Sequence, residues 1–181
     1  MQDYMKSAID KSYNKKEDYR YYINSEEDVV QYFIQMTEYP NVMRMYIPVI
    51  NEGNFATTRN IVNALTEVLY NPDVFLRLMT TYNPYGKKPS LYDYLRDHPA
   101  WAQKRIQIKT FECPDKCKFP FEDSKPGEVV LFGDRQITYR CHWENEVSVS
   151  GYINLGDPKA YYNVDKFDDL FMKLKKFKKS L

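Results

Sequence analysis

The chain has 181 residues, of which 43% are hydrophobic and 28% are charged, a balance that excludes wholesale disorder. Its 26 basic and 25 acidic residues give a net charge of +1, so no whole-molecule field steers it to nucleic acid or an anionic membrane. The 17 Tyr, 10 Phe and 2 Trp contrast with only 2 His and 3 Cys, which favours contact surfaces over catalysis.

The first residues predict an arm rather than a targeting segment. Residues 1–24 lack the apolar stretch and the small-residue cleavage site of a secretory signal. No apolar run approaches the roughly 20 residues that a membrane-spanning helix needs. Three widely spaced cysteines indicate a reducing compartment rather than a disulfide framework. We therefore expect a soluble protein with no membrane span.

Helical signals dominate the region 25–110. Ser25 is followed three residues later by Asp28, a spacing that resembles a capping box and predicts a helix over about 26–38. Residues 41–50 are apolar but interrupted by a proline, so they predict a short helix or an extended segment.

Four further elements in this region are predicted from cap residues, from apolar side chains at helical spacing and from breaks at X-Pro pairs. The last of them contains alternating isoleucines, so it is either a helix or a strand. The first begins at Thr57 or Thr58, the second lies over 73–80, the third begins at Ser90, and the fourth lies over 100–109.

The hydrophobic period changes from helical to alternating after residue 111. Three short strands are predicted over 128–132, 136–143 and 146–154, joined by tight turns. Their alternation predicts a three-stranded antiparallel meander with one buried and one polar face. The predicted fold class is therefore α+β, with a helical N-terminal half, a small antiparallel meander and a C-terminal amphipathic helix.

The C-terminal segment predicts an amphipathic helix whose regular part covers 165–181, with Asp165 as the N-cap. Its apolar stripe lies either on the chain's own core or in a partner's groove, and its lysines suit phosphates, acidic protein or anionic lipid. The stripe contains Phe167, Leu170, Phe171, Leu174 and Phe177, and the anion contacts are Lys175, Lys176, Lys178 and Lys179. The predicted organisation is an arm (1–24), a helical region (25–110), a meander (111–157) and this helix (158–181).

Tyrosines near element ends and in loops are candidates for a protein interface. A single domain of this size has difficulty burying all of them, and exposed aromatic clusters mark interfaces. The candidate interface residues are Tyr19, Tyr21, Tyr22, Tyr82, Tyr85, Tyr161, Tyr162, Phe167, Phe171, Leu174 and Phe177.

Motifs for catalysis are absent from the sequence, which contains no phosphate loop, HExxH pair or dinucleotide fingerprint. Cys113, Cys117 and Cys141 have the ligand type that zinc prefers, but Cys141 and His142 are adjacent on a predicted strand and point to opposite faces. His98, before a proline at a helix end, is interpreted as structural. We predict that the protein is not an enzyme and that it holds no cofactor and no resident metal. An acid pair stays open among Glu52, Asp73, Asp93 and Glu112.

In size, helical first half, small sheet and Lys/Asn/Tyr-rich composition, the chain resembles the small structural proteins of the neck and tail of tailed phages. The resemblance implies a head-tail connector or ring protein that assembles in multiple copies, with itself or with other virion proteins. Two alternatives stay open: a nucleic-acid-binding or regulatory module that uses the basic C-terminal helix, and a small zinc or thiol protein. Outside a virion, the expected location is the cytoplasm.

Overall fold

The computed structural model describes residues 4, 6–7, 19–23, 25, 27–28, 30–31, 34, 41–47, 59–81, 91–111, 128–132, 137–145, 148–155 and 158–176. Eight strands in this part of the chain form a mixed sheet in the order β1-β7-β6-β5-β2-β3-β4-β8. The strands are β1 Tyr19–Ile23, β2 Asn41–Ile47, β3 Val74–Thr81, β4 Ile106–Phe111, β5 Glu128–Phe132, β6 Ile137–Asn145, β7 Ser148–Leu155 and β8 Lys175–Lys176. The helices are α1 Arg59–Val68, α2 Leu91–Asp97, α3 Pro99–Ala102 and α4 Pro158–Lys173. Glu27, Asp28, Val30, Gln31 and Ile34 are also helical.

Three parallel strands, β2, β3 and β4, form the centre of the fold. β3 pairs in parallel with both neighbours, and Leu76 lies between Met43 of β2 and Ile106 of β4. α1 connects β2 to β3, while α2 and α3 connect β3 to β4. Because parallel crossovers are right-handed, these helices cover the same face of the sheet. Val74, Leu76 and Leu78 alternate along β3 and are fully buried.

This parallel centre overturns the predicted fold class. The protein has a mixed α/β fold rather than an α+β fold with a helical N-terminal half, because 41–47 and 74–81 are strands. The region 73–80, predicted as a helix, shows the period of a strand: Val74 and Leu76 are fully buried, whereas Phe75 between them is 44% exposed. A short apolar run fits both the helical and the strand period, so periodicity alone did not decide it.

The segments β5, β6 and β7 pair antiparallel in chain order, with Tyr139 between Leu131 and Ile153. They are not the small separate sheet of the predicted fold class. Leu131 of β5 also pairs antiparallel with Met45 of β2, and β1 pairs with β7 on the far side. The three strands are therefore one wing of a larger mixed sheet, and each of the four predicted regions contributes a strand to it.

Several helix signals of the sequence are confirmed. Ser25 Oγ accepts a hydrogen bond from the Asp28 backbone N–H at 3.2 Å, as the capping box predicts. α1 ends before the predicted break at Pro72, and α2 begins directly after the predicted start at Ser90. The region 100–109 contains both predicted alternatives, since it completes α3 and then enters β4.

α4 packs on the face of the sheet opposite the crossover helices. Phe167 and Phe171 are fully buried with Met79 of β3 and Val164 of α4. Their rings stack with centroids 5.9 Å apart. Fully burying a Phe side chain stabilises a fold by about 1.5–3 kcal/mol. The described part of the apolar stripe, residues 167–174, thus packs on the chain's own core.

The C-terminal helix differs from its prediction at both ends. It begins at Pro158 rather than after Asp165, which lies inside the helix. Proline suits this first position because its missing N–H would have no partner within the helix. The helix ends at Lys173, and Lys175–Lys176 form β8, which pairs antiparallel with β4. The last lysines that the structure describes therefore belong to a strand.

Candidate functional site

Lysines collect where β4 meets β8 at one edge of the sheet. The backbone register places Lys109 opposite Lys176 and Thr110 opposite Lys175. Lys173, at the end of α4, is exposed and lies two residues before the start of β8. We call Lys109, Lys173, Lys175 and Lys176 the edge lysines. They concentrate positive charge that the overall net charge of +1 conceals.

Lys109 connects the sheet edge to the end of α4. Its Nζ donates hydrogen bonds to the carbonyl oxygens of Phe171 at 2.7 Å and Met172 at 3.4 Å, and lies 4.7 Å from the centroid of the Phe171 ring. Carbonyls in the last turn of a helix lack partners within the helix, and the negative end of the helix dipole favours a cation. Lys109 therefore anchors α4 beside the other edge lysines.

A second basic group lies under α4. Arg44 of β2 and Arg77 of β3 are register partners, and both bind Asp168 of α4. Arg44 donates from Nε and Nη2 to the two carboxylate oxygens at 2.9 and 2.8 Å, and Arg77 donates from Nη1 at 2.7 Å. The side chains of Arg44, Asp168 and Arg77 are 7%, 28% and 33% exposed. Two guanidinium groups on one carboxylate leave a net charge of +1 in this triad.

The triad lowers the pKa of Asp168. Burial acts to raise the pKa of the carboxyl, but the hydrogen bonds and positive charges of Arg44 and Arg77 outweigh it. The carboxylate is therefore ionised at neutral pH. Its contribution to stability is present above the pKa of the unfolded chain, about 3.9, and is lost as the pH falls through the lower pKa of the folded state.

Arg105 is a structural cation that belongs neither to the edge lysines nor to the triad around Asp168. Its Nη1 donates to the carbonyls of Asn71 at 3.0 Å and Val74 at 2.8 Å, and its Nη2 to that of Leu69 at 3.0 Å. Its Nε donates to Gln103 Oε1 at 2.8 Å. One buried side chain thus joins the end of α1 to the start of β3.

His98 is buried at the start of α3. Its Nδ1 accepts a hydrogen bond from the Ala100 N–H at 3.1 Å, and its ring lies against Tyr70 with centroids 4.5 Å apart. Nε2 has no hydrogen-bond partner among the described residues. Burial, together with the charge of Arg105, lowers the pKa of the imidazole. His98 caps a helix as a neutral ring, the structural role that the sequence predicts.

We expect the folded state to lose stability as the pH falls below about 6.5, because the unfolded chain then binds a proton that buried His98 resists. The loss grows until the pH reaches the lower pKa of the folded state. His98→Asn keeps a side-chain acceptor for the Ala100 N–H and should remove this loss. Urea unfolding at pH 7.5 and 5.5 measures it, with His142→Asn as the control. Equal losses in His98→Asn and the unsubstituted protein would contradict the assignment.

A groove of about 620 Å³ lies between α1 and the helical residues that follow Ser25. Val30, Ile34 and Ala64 contribute apolar lining. Glu27 and Glu67 add two carboxylates, which disfavour an anionic ligand. The groove is therefore not a further part of the positively charged groups formed by the edge lysines and the triad.

The residues predicted for an interface fall in different environments. Tyr19, Tyr21 and Tyr22 lie on β1, and Tyr161 and Tyr162 lie in the first half of α4. Among the apolar residues of the prediction, Phe167 and Phe171 are buried in the chain's own core, and Leu174 is partly buried against them. Tyr82, Tyr85, Phe177, Lys178 and Lys179 lie outside the described residues.

The metal and acid-pair candidates are only partly described. Cys141 lies on β6, where it pairs with Val129 and Gly151. Within the described ranges, no three His, Cys, Asp or Glu side chains come together as a metal site, and no helix is long and apolar enough to cross a membrane. Asp73 is exposed before β3, and Asp93 lies in α2. Outside the described residues lie Cys113, Cys117, Glu52 and Glu112.

Sequence reasoning did not identify Arg44, Arg77, Lys109 or Asp168 as a group. One signal was present: Arg44 and Arg77 are each the lone charged residue in an apolar run, NVMRMYI and VFLRLMTT. A charge in a buried strand requires a partner. Their pairing across β2 and β3, and the approach of Asp168, depend on tertiary structure.

No family model matches the chain. A curated relative, segregation and condensation protein A from Clostridium botulinum (strain Alaska E43 / Type E3), is 25% identical over 128 residues, which cover 68% of this chain and 51% of that protein. The chain therefore spans about half the length of the curated relative that it matches.

Solved structures share the fold at low sequence identity. NucT from Helicobacter pylori has a TM-score of 0.63 at 11% identity and covers 89% of this chain and 100% of its own. TrmBL2, an archaeal chromatin protein with a novel mode of DNA binding, has a TM-score of 0.51 at 10% identity, over 97% and 62% of the two chains. Phosphatidylserine synthase from Haemophilus influenzae Rd KW20 has a TM-score of 0.51 at 10% identity, over 90% and 40%. These likenesses show the fold alone.

None of these four proteins has a name from phage structure. The connector or ring assembly in a virion therefore stays a prediction to which these relatives add nothing. Measuring the mass of the chain in solution would test it.

Proposed function

We propose that this chain is a nucleic-acid-binding module that contacts phosphates through the edge lysines. The observation that carries the proposal is the register of β4 and β8, which places Lys109 opposite Lys176 and Lys175 opposite Thr110. Because residues alternate between faces along a strand, Lys176 shares a face with Lys109 and Lys175 belongs to the other, so lysines on both sides of this edge can neutralise phosphates that run along it, without any requirement for base sequence. The proposal retains the basic C-terminal segment of the sequence prediction, but Lys175 and Lys176 act from a strand beside the end of α4 rather than from a helix.

The names of similar proteins support this proposal over an assembly role. TrmBL2 is a chromatin protein that binds DNA with a related fold, and the curated relative is named for segregation and condensation. A phosphatidylserine synthase also has this fold, so the fold alone does not select the function. The local concentration of lysines supports nucleic acid as the ligand, and it would have to act locally because the rest of the chain has no positive excess that would attract nucleic acid by long-range charge.

We expect the joint substitution of Lys173, Lys175 and Lys176 by Gln to weaken binding to a labelled 20-nucleotide single strand. Each phosphate contact contributes about 0.7 to the slope of log K against log salt on single-stranded nucleic acid, so the slope should fall by about 2. Fluorescence anisotropy at several salt concentrations measures both quantities. Lys109 is left unchanged because it also holds α4.

A matched control replaces three exposed cations elsewhere, Lys6, Arg59 and Lys104, by Gln. This control variant carries the same change in net charge, so it should keep the original salt dependence if the edge lysines make the contacts. Identical affinities and slopes for the unsubstituted protein and the edge variant would refute the proposal.

A further inference from the structure

An aromatic side chain is exposed in the middle of the parallel sheet. Phe75 lies on β3, which has a strand on each side, yet its side chain is 44% exposed. Its sequence neighbours Val74 and Leu76 are fully buried on the opposite face. A Phe gains about 1.5–3 kcal/mol when fully buried, so the exposed ring leaves much of this stabilisation unused.

α4 covers only part of the face on which Phe75 lies. The helix packs on Met79 and binds Arg77, which lie four and two residues further along β3. A strand rises about 3.3 Å per residue, so Phe75 is about 13 Å from Met79 along the strand. Its register partner on β2, Val42, is only partly buried, and Gln107 beside Arg77 on β4 is exposed. The start of the three parallel strands thus forms an open surface.

A cation lies beside the exposed ring. Arg77 follows Phe75 by two residues and therefore lies on the same face, about 7 Å away along the strand. Its Nη1 binds Asp168, but a third of its side chain is exposed, and the triad with Arg44 keeps a net charge of +1. Lys109 lies two residues beyond Gln107 on β4, so positive charge continues from Arg77 towards the edge lysines.

We propose that this surface binds single-stranded nucleic acid, with a base stacked on Phe75 and a phosphate held by Arg77. An aromatic platform next to a guanidinium matches the two repeating parts of a nucleotide, a flat base and an anionic phosphate. In a duplex the faces of the bases are occupied by their neighbours, so the platform selects single strands. The inference rests on the proposed function and adds to it the strandedness of the ligand and the contact that selects it.

The test compares Phe75→Leu with the unsubstituted protein on an oligothymidylate and on a mixed-sequence duplex. Stacking on an aromatic side chain contributes about 1–3 kcal/mol per base, so we expect a loss of about tenfold or more in affinity for the single strand. Affinity for the duplex should change less than twofold. Phe75→Trp should retain single-strand binding, and quenching of its added emission by bound oligonucleotide would report a base on the ring.

Tyr94→Leu is the matched control, because Tyr94 is an aromatic residue of similar exposure on α2, away from this face. It should bind both ligands like the unsubstituted protein. Unchanged single-strand affinity in Phe75→Leu would overturn this inference and leave the edge lysines standing, whereas an unsubstituted protein that binds neither ligand would overturn both proposals. A change from oligomer to monomer in Phe75→Leu, measured by sedimentation, would make Phe75 a protein contact and also overturn the inference.

Discussion

Replacing Arg105 with Met should lower the free energy of unfolding by about 3–5 kcal/mol. The guanidinium is buried and donates hydrogen bonds to the carbonyls of Leu69, Asn71 and Val74. Methionine fills similar volume but donates nothing, so the carbonyls of Leu69 and Val74 lose this donor, while the carbonyl of Asn71 keeps the Val74 N–H at 3.2 Å. A buried polar group left without a hydrogen bond costs about 1–3 kcal/mol. The connection between α1 and β3 should therefore open first.

Urea unfolding at neutral pH measures this effect. Arg105→Lys should be intermediate, because one ammonium group keeps the charge but cannot reach three carbonyls in the planar geometry of a guanidinium. Arg96→Met is the matched control: Arg96 is exposed and pairs with Asp97, and such surface pairs contribute little. A similar small loss in Arg105→Met and Arg96→Met would show that the carbonyls find other partners.

Replacing Asp168 with Leu should destabilise the protein by about 3 kcal/mol. Arg44 is almost completely buried, and its bidentate partner would be lost. Removing one member of a buried ion pair costs about 3–5 kcal/mol, because the other charge stays buried without compensation. We expect the lower end of this range since Asp168 itself is partly exposed. Asp169→Leu, at the exposed neighbouring position, should change stability by less than about 0.5 kcal/mol.

The double variant Arg44→Met with Asp168→Leu separates the ion pair from simple loss of packing. Replacing both charges with apolar groups removes the uncompensated guanidinium, so the double variant should recover most of the stability.

Acid titration adds a second readout of the role of the Asp168 charge. The difference between Asp168→Leu and the unsubstituted protein should shrink as the pH falls below about 4, because the unfolded chain then binds a proton at Asp168 that the folded carboxylate, with its lower pKa, still resists. A difference that is constant with pH would contradict the role of the charge.

Local signals in the sequence predicted several elements because those elements are determined locally. The cap formed by Ser25 and Asp28 and the start of α2 after Ser90 involve residues only a few positions apart. The strands β5 to β7 also show their alternating pattern in the sequence. β3 was misread as a helix because it is buried on one face throughout and partly covered by α4 on the other, so its apolar residues do not simply alternate.

From the sequence, the candidate site was predictable only as an excess of lysines near the C-terminus. The lysines at 175 and 176 stood out from the sequence, but their position beside Lys109 depends on pairing between β8 and β4. Arg44, Arg77 and Asp168 are brought together from three distant segments. The exposure of Phe75 follows from where α4 crosses the sheet, and no local pattern encodes that crossing.

The positions of β1 and β8 have a consequence for how the protein folds. These outermost strands of the sheet are also the first and last strands that the structure describes. β1 pairs with β7, so that Tyr19 meets Leu155, and β2 pairs with β5 from the second half of the chain. Pairings so distant along the chain carry a large loop-closure cost and slow the search for the native state. During synthesis, the β2 edge of the three parallel strands therefore stays unpaired until β5 has left the ribosome.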